Sequence, residues 1–151
     1  MARIRIELPE KCIAVFTIPV RITDINYGNH VGNNSLVEII HEARMQFLRQ
    51  YNFTEMDAGG SSLIMNELTV EFKNESFYKD DLEVKIFIGE ISRVSFELFY
   101  SISALRNNLL TIVANAKTGM VCFNYNEKKV VAVPGELKKI LLKVEGSRLK
   151  V

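Results

Sequence analysis

One segment decides most of what this chain can become. Between residues 35 and 51, Leu36, Ile39, Ile40, Ala43 and Phe47 recur at the three- and four-residue spacing of a single helical face. A second, weaker row of Val37, His41, Met45 and Leu48 flanks it. A helix with two such rows needs cover on more than one side. Residues 12–22, rich in Val, Ile, Phe and Thr, predict one strand before it. After the turn-rich residues 57–62 the period changes to two, and residues 63–73, 81–91, 94–104 and 109–125 read as strands. In the first of these, Ile64, Leu68, Val70 and Phe72 fall on one face, with Met65, Glu67 and Glu71 on the other. Arg106-Asn107-Asn108 has the chemistry of a hairpin tip, and Gly119 marks a bulge or bend inside the last strand. Pro134-Gly135-Glu136 opens a C-terminal helix striped by Leu137, Ile140, Leu141 and Val144.

One well-patterned helix and a run of antiparallel strands are most economically combined as an α+β fold, a single sheet wrapped around the helix. No repeat, low-complexity tract or linker divides the chain, so residues 1–151 read as one domain. The leftover edges of such a sheet invite pairing with a second copy.

Composition narrows the function classes. With 19 basic and 18 acidic residues the net charge is +1, which argues against the basic face of a nucleic-acid binder. Two His and two widely separated Cys, Cys12 and Cys122, leave little for a metal site and read as reduced thiols. There is no signal-peptide pattern and no apolar run of about 18 residues, so the expectation is a cytoplasmic protein without a membrane span.

The chemistry-bearing residues gather between Asp24 and Arg44. In an extended segment Asp24, Asn26 and Gly28 would share a side, and His30 would sit at the mouth of the turn into the helix. Asn33 or Asn34 can cap that helix. Backbone N–H groups of Gly32 and Asn33 would open at its N-terminus, where unpaired donors favour a developing oxyanion. Glu42, with Glu38, projects sideways off the apolar face. The same residues are also read more plainly. The Asn and Gly residues suit a left-handed turn, Glu42 suits a solvated face paired with Gln46 or Arg49, and His41 suits packing. Arg93, Arg106 and Lys117 would suit a phosphate-bearing ligand or simply a charged surface.

The run Asp24-x-Asn26-x-Gly28-x-His30-Val31-x-Asn33, followed by His41-Glu42-Ala43-Arg44-x-x-Phe47-Leu48, resembles the hotdog-fold acyl-CoA thioesterases related to 4-hydroxybenzoyl-CoA thioesterase. The likeness spans roughly residues 13–137. It implies a hotdog fold, an antiparallel sheet wrapped around the helix at residues 35–51 with a short C-terminal helix. It also implies a homodimer joined edge to edge, with sites at the interface, or a homotetramer of such dimers. The activity implied is hydrolysis of acyl-CoA or acyl-carrier-protein thioesters with no metal or bound cofactor, coenzyme A entering only as part of the substrate.

The sequence departs from that family's pattern within this loop. Asn26 stands where many relatives carry a catalytic carboxylate, and an amide neither accepts a proton usefully nor attacks a thioester. Gly28 is also displaced, with Asn29 inserted before His30. The water-activating role then passes to Glu42 first, or to Asp24. Asn26 and His30 orient water and substrate, Gly32 and Asn33 receive the oxyanion, and Tyr27, Met65 and Phe72 shape the acyl pocket. Two alternatives are a hotdog enoyl-thioester hydratase or 3-hydroxyacyl dehydratase, and a non-catalytic acyl-thioester-binding protein.

Overall fold

The alternating segments assemble into one antiparallel sheet. The computed structural model describes residues 3–149, with side chains as far as Leu142. The strands are β1 (Cys12–Pro19), β2 (Ser62–Phe72), β3 (Asp81–Ile91), β4 (Ser95–Arg106), β5 (Leu109–Asn124) and β6 (Lys129–Val130). Their order across the sheet is β1-β3-β4-β5-β2, with β6 paired to β5. Helix α1 (Asn33–Arg49) packs against the sheet, and α2 (Gly135–Leu149) follows it in the chain. From α1, Leu36, Ile39, Ile40, Ala43 and Phe47 are buried. They meet a sheet core that includes Leu82, Val84, Ile86, Leu98, Ile102 and Met120. Leu137 and Leu141 of α2 join the same core, whereas Val144 lies outside the residues whose side chains are described.

Local chemistry explains where the elements stop. Asn107 and Asn108 both take positive φ, 52° and 64°, between paired Arg106 and Leu109. That is the two-residue turn whose twist suits a hairpin, and Asn tolerates it. The first strand ends at Pro19, earlier than residue 22, because Ile22–Asp24 wind into a single 3₁₀ turn. The Asp24 carboxylate holds that turn by accepting the Arg21 backbone N–H at 2.8 Å. Helix α1 begins at Asn33, with Gly32 in extended geometry as its cap in place of Asn33 or Asn34.

The expected irregularity at Gly119 falls on the neighbouring strand. β5 runs straight through Gly119, while β2 shifts register between Met65 and Glu67. A Cβ on Gly119 would lie 2.6 Å from Oδ1 of Asn66, so the glycine makes room for the bulge opposite. The extra residue inverts the phase of β2. Leu63, Met65 and Leu68 thereby line one cleft beside α1, and Ile64 does not share their face.

One polar network is embedded in this core. Arg44, 5% exposed, donates to Glu55 at 2.7 Å and to the Tyr100 hydroxyl at 3.3 Å. His41 Nε2 reaches the other Glu55 oxygen at 2.8 Å, and Tyr100 pairs with Thr118 at 2.7 Å.

Candidate active site

The polar segment before α1 is a closed turn. Asn26 N–H donates to the His30 carbonyl at 2.9 Å, Asn29 N–H to the Asn26 carbonyl at 3.0 Å, and Ile25 bridges Val31. Asn29 takes the left-handed conformation, φ 67°, that the closure requires. The side shared by Asp24, Asn26 and Gly28, expected of an extended segment, is therefore not formed. Asp24 turns inward, 2% exposed, and accepts two bonds from the Arg21 guanidinium at 3.0 and 3.3 Å. Burial pushes its carboxyl up, but hydrogen bonds from the Arg21 side chain and backbone, with Ser35, outweigh it and hold the group below the usual carboxylate range. Asn26 stays in the turn, its Oδ1 accepting the Gly28 N–H at 2.9 Å.

Asp24 thus fixes the approach of the turn to α1. Asp24→Ala is expected to lower stability by about 1–2 kcal/mol, the scale of a lost cap. Thermal melting checks this, and an unchanged midpoint would show that the carboxylate does not hold the turn.

The helix N-terminus supplies oriented donors, with one change from expectation. Gly32 N–H is already donated to the Asp24 carbonyl at 3.0 Å, so it is not free to receive an oxyanion. Among the described residues, no acceptor is bonded to the N–H groups of Asn33 and Asn34. They carry the positive end of a 17-residue helix. Asn33 lines a cleft of about 210 Å³ with His30, Gly32, Leu36, Phe72 and Glu75.

Glu75 escapes a reading of the turn alone, because it arrives from the segment after β2. Its carboxylate lies 3.2 Å from His30 Nε2, and His30 Nδ1 lies 3.2 Å from the Val31 carbonyl. Glu75, His30 and Asn33, whose backbone N–H is unbonded, therefore line one cleft.

Glu42 is elsewhere. It stands about two and a half turns beyond Asn33, roughly 13 Å along the helix axis. It lines a different cleft, about 560 Å³, against Ile18, Pro19 and Arg21, and accepts the Gln46 side-chain amide at 2.8 Å. Within one chain no single carbonyl reaches both Glu42 and the Asn33 donor. Of the acyl-pocket candidates, Phe72 lines the His30 cleft and Met65 the cleft beside Arg44, while Tyr27 is fully exposed at the tip of the turn. Arg106 and Lys117 are ion-paired, to Asp80 at 2.7 Å and to Glu97 at 3.1 Å.

An antiparallel sheet around a long helix, with polar donors at the helix entrance, defines the hotdog class. The chain belongs to the thioesterase-like superfamily, whose family model matches residues 20–141. It is 28% identical over 113 residues to the "Putative esterase" of Aquifex aeolicus (strain VF5), covering 74% of this chain and 84% of that one. Its fold is similar to that of the 1,4-dihydroxy-2-naphthoyl-CoA thioesterase from Synechocystis, with a TM-score of 0.76 at 22% identity, over 87% of this chain and 96% of that one. The DHNA-CoA thioesterase from Staphylococcus aureus matches with a TM-score of 0.76 at 16% identity, over 91% and 93% of the two chains. No helix among the described residues is long and apolar enough to cross a membrane.

Proposed function

We propose that this protein hydrolyses acyl-CoA or acyl-carrier-protein thioesters at the cleft between the Asn26–His30 turn and the start of α1. One observation carries the reading. Asn33, whose N–H is unbonded, lines the same cleft as His30. A thioester oxygen placed there gains negative charge as the carbonyl is attacked, and the donors and helix dipole stabilise that charge more than the ground state. Asn26 and His30 orient water and substrate. Leu36 and Phe72 give the acyl group an apolar wall. Asp24 acts as a positioning residue, since its carboxylate is engaged by Arg21.

Two carboxylates are candidates to activate water. Glu42 fronts the Arg21 cleft and would meet the Asn33 donor only if a second copy brought the two together. Glu75 fronts the donor cleft itself. The partly exposed β2 edge, with Leu68 and Phe72, supports a homodimer, from which a tetramer could be built.

A steady-state assay with a thiol-trapping reagent across aliphatic and aromatic acyl-CoAs tests the reading. The best substrate is expected to reach a kcat/KM above about 10⁴ M⁻¹ s⁻¹. Hydration of crotonyl-CoA without thiol release would replace hydrolysis with the hydratase alternative. Tight binding of acyl-CoA with no turnover would replace it with the binding-protein alternative.

A further inference from the structure

The departure at Asn26 leaves the turn without the carboxylate that its pattern calls for, and the fold brings another to the same place. Resting on the hydrolase reading above, we propose that Glu75 is the catalytic base, aimed by His30.

The backbone that carries Glu75 is held from three directions. Lys73 and Asn74 donate their N–H groups to the Val113 carbonyl at 2.8 and 3.1 Å. Val31, next to His30, donates to the Ser76 carbonyl at 2.8 Å, which ties this segment to the turn. Arg106 donates to the Glu75 carbonyl at 2.9 Å while its guanidinium is paired with Asp80. Asp80 in turn accepts the Phe77 N–H at 2.8 Å, and Arg106 lies over the Phe77 ring at 5.1 Å. A carboxylate on so well anchored a segment meets the geometric demand on a general base, which has to be placed before it is tuned.

The side chain itself is free to work. Oε2 faces the His30 ring at 3.2 Å, and no protein donor is bonded to Oε1 among the described residues. The side chain is 62% exposed, so water reaches it. Gly28 keeps this corner open, since a Cβ there would lie 3.1 Å from His30 Nε2. Asn26 cannot take the role, because its amide does not accept a proton near neutrality, and its Oδ1 receives the Gly28 N–H.

In the reaction Glu75 takes a proton from water while the water oxygen bonds to the acyl carbon. The carbonyl electron pair moves onto oxygen, beside the N–H group of Asn33. When the carbonyl re-forms, the C–S bond breaks with its pair on sulfur. The proton held by Glu75 then passes to the thiolate, directly or through His30. The products are the free acid and the thiol, and no further reactant is needed.

The test compares Glu75→Gln with wild type on the best acyl-CoA, with water and with hydroxylamine as nucleophile. The amide preserves size and polarity but cannot accept the proton. Hydroxylamine attacks without first losing a proton to a base. We expect kcat for hydrolysis to fall about 10²–10³-fold with KM within about threefold, the signature of an interaction confined to the transition state. Hydroxylamine cleavage should be retained to within about tenfold, and Glu75→Asp should recover part of the hydrolysis. Equal loss with both nucleophiles would reduce Glu75 to a structural residue and overturn the proposal. So would a Glu75→Gln protein that hydrolyses as wild type does. A wild-type protein that cleaves neither the acyl-CoAs nor acyl-carrier-protein thioesters fails at the earlier step, removing the hydrolase reading and this assignment together.

Discussion

Glu55→Ala is expected to destabilise the protein by about 3 kcal/mol and to lower its melting temperature by roughly 6–12 °C. The variant keeps Arg44 where it is, almost wholly buried beside Tyr100, and removes the carboxylate that compensates its charge. Breaking a buried pair from one side costs far more than the pair contributes, because the remaining ion is left desolvated. The effect carries a pH signature. Burial pushes the Glu55 carboxyl up, but hydrogen bonds and charge from Arg44 and His41 outweigh it, so the folded group lies below the usual carboxylate range. A depressed folded pKa stabilises the native state above the unfolded group's titration, and that contribution is lost as pH falls through the folded value. The gap between wild type and Glu55→Ala should therefore be full near neutrality and shrink in acid. Urea titrations at both pH values measure it, and a gap that does not change with pH would sink the account.

Phe47→Ala is expected to cost about 3–5 kcal/mol, the range for emptying a large aromatic site in a core. Phe47 is almost fully buried on the sheet-facing side of α1 and meets Tyr51 edge to face at 5.6 Å. Two rigid surfaces, helix and sheet, enclose the void, so little of it can collapse. Guanidinium unfolding should show a lower midpoint with the slope unchanged. A loss below about 1 kcal/mol would mean that the helix shifts to fill the space.

The fold was legible wherever one strand or helix could be read by its own period. Residues 81–91 match β3, and the Asn107-Asn108 turn has the backbone its composition demands. What escaped depended on a partner. The Asn66 bulge cannot be seen along β2 because the room for it is made by Gly119 on β5, and it reversed the expected face of Ile64. The site divides the same way. The turn, His30 and the helix entrance lie close in sequence and are readable. Whether a backbone N–H is already occupied, as at Gly32, is decided by three-dimensional closure. Glu75 sits in a stretch with no pattern of its own and gains meaning only from its distance to His30. Arg44 belonged to a family-like motif, yet its work in this fold is to brace the core with Glu55 and Tyr100.

The strand order also sets a timetable for assembly. Among the described residues β2 finds its strand partner in β5, Ser62 opposite Phe123, and β1 finds its own in β3. The β3–β4–β5 meander is joined by short connections and pairs strand to neighbouring strand. The pairings β1–β3 and β2–β5 join residues far apart in the chain, and such distant pairs close more slowly than the meander's neighbouring ones. As the chain emerges from N- to C-terminus, α1 is therefore made after β1 but before β3, so part of its apolar cover arrives later than the helix itself.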